Sequence, residues 1–197
     1  MRYDAEHRQQ TREKVVRKAA EVVREFGPDK ISVAELMAKV GLTHGGFYAH
    51  FKSKDDLVRE AISHIFNERN EALRNALEDA GPSEGLSAYI DMYLSTLHRN
   101  RRDKGCPMAA LIGDLARMPV AVRKRFDADI QVQTDLIAGA LKEMKQPQPD
   151  ALAASVLAEM VGAIAIARAV SDDETSERIL DAARTNIKAR IGLAAHK

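Results

Sequence analysis

Apolar residues recur at intervals of three and four along most of the chain, which is the spacing of one face of an α-helix. No convincing stretch alternates apolar and polar residues as a half-buried β-strand does. Glycine and proline divide the pattern into segments, because both favour helix ends over helix interiors. The chain is therefore predicted to be all-α, with a small N-terminal unit followed by a larger C-terminal helical bundle.

The first predicted helix has a single apolar stripe and a clear end. Gly27-Pro28 supplies a left-handed cap followed by a residue that cannot continue the helix. The stripe consists of Val15, Ala19, Val22, Val23 and Phe26. We expect this face to pack on the helices that follow.

Two short helices and one long helix are predicted next. Ser32 can cap a second helix that stops at Gly41. Thr43 can cap a third, which extends only to about His50, and Ser53 can cap a longer fourth. Two short helices joined by a tight turn, with supporting helices on both sides, are the parts of a helix-turn-helix.

Gly81-Pro82 is the first break at which the composition also changes. We therefore divide the chain into an N-terminal domain (residues 1–54), a connecting helix (55–80) and a bundle (81–197). Apolar stripes predict bundle helices over residues 86–97, 108–115 and 122–144. After the short linker QPQPD, two more helices are predicted at residues 151–170 and 174–191.

The helix predicted at residues 151–170 is apolar or small on almost every side. Such a helix needs cover from its own bundle or from a second chain. Membrane insertion is the competing interpretation, but Glu159 and Arg168 interrupt the segment and disfavour it. The residues alone leave open whether its own bundle or a second chain covers this helix.

Composition adds a charge asymmetry and excludes two kinds of site. Up to Lys54 the chain has eleven Lys or Arg against seven Asp or Glu, whereas the remainder has nineteen against twenty-two. A basic N-terminal part favours a polyanionic partner, although a solvated amphipathic helix gives a similar count. One cysteine and six scattered histidines predict neither a disulfide nor a metal site, and no cofactor is expected. The charged start and the lack of an uncharged membrane-length run predict a cytoplasmic protein.

The third helix has a sequence that suits contact with DNA better than a structural role. Gly45 and Gly46 stand in its first turn, where each costs up to about 1 kcal/mol relative to alanine. Glycines there let base edges and phosphates come close. Thr43, Tyr48 and His50 add the hydroxyl, phenol and imidazole groups that hold phosphates.

The segment resembles the DNA-binding domain of the TetR family of bacterial regulators. The match runs from Thr11 to about Phe66. It is densest where G-L-T-x-G-x-F-Y-x-H-F-x-x-K-x-x-L stands as Gly41, Leu42, Thr43, Gly45, Phe47, Tyr48, His50, Phe51, Lys54 and Leu57. The resemblance implies a three-helix DNA-binding domain followed by a bundle for ligand binding and dimerisation. It also implies a homodimer that pairs through the last two predicted helices, at residues 151–170 and 174–191.

The resemblance also implies roles for individual residues. It implies that Thr43, Tyr48, His50 and Lys54 contact phosphates. It also implies that His44, Gly45 and Gly46 contact bases in the major groove. The full predicted DNA-binding set is Ser32, Thr43, His44, Gly45, Gly46, Phe47, Tyr48, His50 and Lys54. Phe47 is open between DNA contact and core, because it lies four residues before Phe51, for which a core position is favoured.

A ligand pocket is predicted inside the bundle from adaptable side chains at helical spacing. The candidates are Tyr89, Met92, Tyr93, Cys106, Met108, Phe126 and Met160. Ordinary core packing is the alternative for each of them. Cys106 stands between Gly105 and Pro107 at a predicted helix start, where a thiolate would be stabilised. It is predicted to be a reactive sensor or to line the pocket, and the alternative is a small buried residue at a helix start. Some TetR-family members that respond to electrophiles or oxidants have a similar Gly-Cys step at the start of this helix.

The sequence therefore predicts a transcriptional regulator, most simply a repressor that a small-molecule or electrophile signal releases from a palindromic operator. An enzyme is disfavoured, because no nucleotide-binding, nucleophile-elbow or metal-ligand motif is present. A Cys106 thiol peroxidase and a helical carrier without DNA affinity are the remaining alternatives.

Overall fold

The computed structural model describes residues 2–118 and 120–193. Its described residues contain no strand, and 84% of the chain is helical, which confirms the all-α prediction. The α-helices are α1 (Arg2–Phe26), α2 (Val33–Lys39), α3 (Lys54–Tyr93), α4 (Thr96–Asn100), α5 (Pro107–Leu115), α6 (Val120–Glu143), α7 (Pro149–Ala169) and α8 (Asp173–Arg190). Short 3-10 helices occupy Pro28–Lys30, His44–Ala49 and Arg102–Lys104.

Helix α1 packs along the first half of α3 through the predicted stripe. Val15, Ala19 and Val23 are fully buried. Gly27 ends the helix with φ of 88°, a conformation that residues with a Cβ rarely adopt. Phe26 was predicted to be part of the stripe, but its side chain is 60% exposed. It is the last residue of α1, so it projects beyond the point where the partner helices cover the stripe.

The caps predicted for the two short helices are present. Ser32 Oγ accepts a hydrogen bond from the Glu35 amide, and Thr43 Oγ1 accepts one from the Gly46 amide. The segment after Thr43 is a 3-10 helix rather than an α-helix. Two glycines in six residues lower its α-helical propensity, and 3-10 geometry is common in helices this short.

Helix α3 is interrupted where the sequence predicted a break. Gly81 has φ of 79° and ψ of 175°, so the backbone leaves the helix there and re-enters it at Pro82. The two halves turn back on each other, because an added Cβ at Gly85 would lie only 2.7 Å from the Ala76 carbonyl carbon. We call this turn, residues 76–85, the elbow.

The bundle helix predicted over residues 86–97 ends earlier in the structure than the sequence predicted. Helix α3 stops at Tyr93, and Ser95 Oγ caps the new helix α4 by accepting from the His98 amide. Leu97 is consequently 70% exposed. The other bundle helices occur within a few residues of their predicted bounds, except that Pro149 and Asp150 belong to α7 rather than to the linker. The side chain of Val122, which began a predicted stripe, lies outside the described part.

Helix α7 packs against α6 on one side and α8 on another. Among the described residues it alone is long and apolar enough to cross a membrane by length and composition. A core helix passes the same test, and 44% of its apolar window is already buried within the chain. Ile166 on this helix is 56% exposed, which leaves apolar surface facing outward.

Candidate nucleic-acid interface

The 3-10 helix His44–Ala49 presents most of the predicted DNA-binding residues on an open surface. Thr43, His44 and Gly45 are exposed, and Tyr48 is 67% exposed. The Tyr48 ring lies edge-on to the Phe47 ring at 5.3 Å between centroids, which orients the phenol outward. An added Cβ at Gly45 would meet nothing within 4 Å. No internal packing therefore requires a glycine at this position.

Phe47 belongs to the core and not to the DNA-facing surface. Its side chain is 1% exposed and stacks on Phe51 at 5.3 Å between ring centroids. Phe51 is 2% exposed, as predicted. The inclusion of Phe47 among DNA-contacting residues is therefore corrected: it anchors the 3-10 helix from beneath. Ser32 is half-buried, with its hydroxyl engaged in the cap of α2.

The structure places Lys54 and His50 at the edge of the same surface. Lys54 Nζ donates to the Asp29 carbonyl oxygen at 3.1 Å, which leaves two of its three N–H groups for other acceptors. His50 is half-buried, and burial lowers its pKa, with the Arg8 and Arg12 charges acting in the same direction. Its imidazole is therefore neutral near pH 7.

Basic side chains of α1 hold the helix-turn-helix by donating hydrogen bonds to its backbone carbonyl groups. The sequence did not predict these contacts. Arg8 donates to the Ala49 carbonyl, and Arg12 donates to the His50 carbonyl at 3.2 Å. Lys14 reaches the Val40 carbonyl, at the end of α2, at 3.3 Å. The three cations thus satisfy carbonyls that the short helices leave free at their C-terminal ends.

Arg12 is itself oriented by two further contacts. Both of its terminal nitrogens donate to the Glu60 carboxylate, and its guanidinium lies 4.9 Å from the centroid of the Phe51 ring. A bidentate pair fixes the plane of a guanidinium more firmly than a single contact does. Arg12 therefore positions the 3-10 helix that carries most of the predicted DNA-binding residues.

Replacing Arg12 by glutamine is expected to weaken the predicted DNA binding about tenfold, roughly the worth of one charged hydrogen bond, without changing its salt dependence. The 3-10 helix would shift, while the number of predicted phosphate contacts would stay the same. Lys54→Gln is the matched comparison, and it should lower the slope of log affinity against log salt by about 1. Fluorescence anisotropy at several salt concentrations measures both values, and an equal loss of slope in Arg12→Gln would make Arg12 a phosphate ligand instead.

Family profiles match both parts of the chain. Residues 15–61 match the profile described as bacterial regulatory proteins, tetR family. Residues 82–183, more than half of the chain, match the tetracyclin repressor-like C-terminal domain. The chain belongs to the TetR family. This result confirms the predicted family, whose members are DNA-binding regulators and not enzymes.

Individual TetR-family proteins show similarity along the chain. The HTH-type transcriptional repressor Rv3405c of Mycobacterium tuberculosis is 27% identical over 119 residues, which cover 59% of this chain and 61% of that protein. The chain thus spans about 61% of the length of this curated relative. A TetR regulator from Chloroflexus aurantiacus is 26% identical with a TM-score of 0.76, covering 93% of this chain and 96% of that one. E. coli NemR in its reduced form has the same fold, with 19% identity, a TM-score of 0.80 and coverage of 91% and 97%.

In this TetR-family bundle, most of the predicted ligand-binding residues are buried. Met92 is 40% exposed, and the other six are buried, namely Tyr89, Tyr93, Cys106, Met108, Phe126 and Met160. Four clefts formed by described residues, of about 490, 230, 480 and 370 Å³, include no predicted ligand residue in their lining. Within the described residues, no group of three or more His, Cys, Asp or Glu side chains could hold a metal ion.

The structure brings three of the predicted residues together in a buried polar cluster. The rings of Tyr89 and Tyr93 lie 6.1 Å apart, and the Tyr93 hydroxyl approaches the Cys106 thiol. Burial raises the pKa of both tyrosines well above the usual range. Gln133 Nε2 donates to the Tyr89 hydroxyl at 2.8 Å. Phe126, by contrast, packs edge-on against Phe66.

Cys106 lies at the N-cap position of α5, as predicted, but its thiol makes no capping hydrogen bond, and His98 is the neighbour that defines its surroundings. The Cys106 amide donates to His98 Nε2 at 3.0 Å, and His98 Nδ1 donates to the Tyr93 carbonyl at 2.6 Å. Burial lowers the pKa of His98 to about 4, so the ring is neutral at pH 7. Sequence reasoning missed His98, because a single histidine in a helical pattern gives no indication of its partners.

Proposed function

We propose that the chain is a homodimeric repressor that binds a palindromic operator through the surface around Tyr48 and is released by a signal sensed in the bundle. The observation that carries this proposal is the exposed face of Thr43, His44, Gly45 and Tyr48, held over a core of Phe47 and Phe51. Membership of a regulator family supports it. A cytoplasmic location follows from this function, because the operator is there.

Individual contacts are proposed in two groups. Thr43, Tyr48, His50 and Lys54 bind phosphates, with His50 acting as a neutral donor and Lys54 through its two free N–H groups. His44, Gly45 and Gly46 face the bases in the major groove. The division fits the general pattern in which phosphate contacts position a protein and base contacts specify the sequence.

The dimer is proposed to form through α7 and α8. The outward apolar surface of α7 includes Ile166 and is the kind of surface that a second copy buries. Two-fold symmetry would place two recognition surfaces in successive major grooves, about one helical turn apart. The operator would then be a palindrome.

Gly45→Ala tests the proposed close approach of DNA. The fold should be unaffected or slightly more stable, because the added methyl group has open space around it. Operator affinity should fall by about tenfold or more, as expected for a steric contact worth 1–2 kcal/mol. Gly139→Ala, also in open space but far along the chain in α6, is the control for thermal stability and anisotropy. Full operator affinity in Gly45→Ala would remove Gly45 from the interface.

The signal is proposed to be a small molecule, with an electrophile acting at Cys106 as the second candidate. The position of Cys106 at the start of α5, beside His98, favours that candidate. Its thiolate would add to an activated carbon–carbon double bond, and the thiol proton would end on the neighbouring carbon. The side chain is fully buried, so addition requires the cluster to open. Maleimide labelling at neutral pH distinguishes the two: labelling faster than free cysteine supports a sensor, and slower labelling leaves Cys106 a core residue.

A further inference from the structure

Two guanidinium groups enter the buried cluster without an acidic partner. Arg69, on α3, is 9% exposed and donates to the Lys104 carbonyl at 3.0 Å and to Met92 Sδ at 3.8 Å. Arg168, on α7, donates to the carbonyls of His98 and Arg99 at 3.0 and 3.2 Å. Within the described part of the chain, neither pairs with a carboxylate. Carbonyl groups offset only part of the cost of burying a full positive charge.

Polar groups of the same cluster are also left without partners. The Tyr93 hydroxyl is fully buried and makes no hydrogen bond of acceptable geometry, although it faces the Cys106 thiol. Gln133 Oε1 is likewise buried and unbonded. The Arg69 guanidinium lies 5.9 Å from the centroid of the Tyr93 ring. A positive charge and an unused hydroxyl donor therefore stand side by side in the interior.

His98 is neutral at pH 7, so it adds no charge to the cluster. Burial keeps its pKa low, with the backbone carbonyl of Tyr93 and the charges of Arg69 and Arg168 as smaller influences. Burial also lowers the pKa of Arg168, and the charges of Arg102 and Arg69 add to that effect. The two arginines therefore give the named side chains of the cluster a net positive charge. The start of α5 at Pro107 adds the positive end of a helix dipole to the same region.

We propose that the effector is a small organic acid whose carboxylate binds between Arg69, Tyr93 and Arg168. This inference rests on the proposed function, since it names the chemical class of the signal. The carboxylate would accept from both guanidiniums and from the Tyr93 hydroxyl, which are charge-assisted hydrogen bonds of the strong kind. The apolar body of the acid would lie among neighbouring buried side chains such as Tyr89.

One arginine of the proposed site also holds a neighbouring 3-10 helix. The 3-10 helix Arg102–Lys104 contains no buried residue, so little apolar packing fixes it. Arg69 holds it through the Lys104 carbonyl, and Arg24 of α1 holds it through the Asp103 carbonyl at 3.3 Å. A carboxylate that draws Arg69 away from Lys104 would loosen this segment and, through Arg24, shift α1. Helix α1 in turn positions the DNA-binding surface through Arg8 and Arg12.

The test uses matched acids and amides on the full chain. Benzoate, phenylacetate, indole-3-acetate and octanoate are each compared with their primary amides by thermal shift and by anisotropy of an operator duplex. At least one acid should raise the unfolding midpoint while its amide does not, and should weaken operator binding within the usual 5- to 150-fold range of allosteric coupling, about 20-fold at its centre.

Variants identify the site of binding. Arg69→Gln and Arg168→Gln should each weaken acid binding at least about tenfold, as loss of a charged hydrogen bond does. Tyr93→Phe removes only an unbonded hydroxyl, so it should fold normally and still weaken acid binding. Arg117→Gln, which removes an exposed arginine paired with Asp114, should leave acid binding unchanged.

Three outcomes would overturn the proposal: amides that bind as well as the acids, no acid that shifts the midpoint, or equal losses in Arg117→Gln and Arg69→Gln. Acid binding in a protein with no operator affinity would support the anion site and overturn the proposed function instead.

Discussion

Replacing Gly85 by alanine is expected to destabilise the chain by about 3 kcal/mol, the upper end of the range for overpacked sites. The added methyl group would lie 2.7 Å from the Ala76 carbonyl carbon and 2.8 Å from Leu77 Cα. Both atoms belong to the backbone, so no side chain can rotate away to make room. The two halves of α3 would have to separate at the elbow, which joins the N-terminal part to the bundle.

Chemical unfolding at fixed protein concentration measures this loss, with Gly139→Ala as the matched control. Gly139 is also a helical glycine, but an added Cβ there meets nothing within 4 Å. That variant should gain about 0.5–1 kcal/mol from the higher helix propensity of alanine. Equal stabilities for the two variants would mean that the backbone at Gly85 does not lie this close to the backbone of Ala76 and Leu77.

The second large effect is a loss of stability in acid caused by His98. Its pKa is about 4 in the folded chain, whereas an unfolded histidine titrates near pH 6.5. Between these values the unfolded chain binds more protons than the folded one. The contribution of His98 to the free energy of unfolding is therefore fully present above about pH 6.5. It falls by about 3 kcal/mol in total as the pH drops toward 4. Protonation would also place a donor at Nε2, where the ring now accepts from the Cys106 amide.

Urea unfolding from pH 7.5 to pH 4 tests this prediction when wild type and His98→Gln are compared. The variant should be less stable at pH 7, because it loses the ring that bridges the Tyr93 carbonyl and the Cys106 amide. Its curve should converge on that of the wild type toward pH 4. Parallel curves would show that His98 does not titrate in this window. Comparing the two proteins cancels the contributions of the acidic residues.

Local features of the fold could be predicted from the sequence because they depend on neighbouring residues. The caps at Ser32, Thr43 and Ser53 each satisfy an amide three residues away. The break at Gly81 follows from the conformational freedom of glycine followed by proline. The prediction of the apolar stripe of α1 was wrong only at Phe26, because the helix and the residues that pack on it both end there.

The features that were missed depend on residues far apart in the sequence. Arg12 reaches His50 and Glu60, and Arg168 reaches His98 and Arg99, across 38 to 70 positions. An arginine in a helical pattern looks like a solvated residue until its partners are known. Phe47 was ambiguous for the opposite reason, because four-residue spacing fits both a core and an exposed face of a short helix.

Above all, we propose that the surface around Tyr48 recognises a palindromic DNA sequence. The most direct measurement is selection of genomic fragments with the purified protein at about 150 mM salt, where non-specific phosphate binding is weak, followed by footprinting of the enriched sites. The same selection is run with Tyr48→Ala, whose fold should be intact because the side chain is 67% exposed. A shared palindrome that is enriched by the wild type and lost with Tyr48→Ala is the expected result. Fragments without a common sequence, or a palindrome that Tyr48→Ala enriches equally well, would contradict the claim.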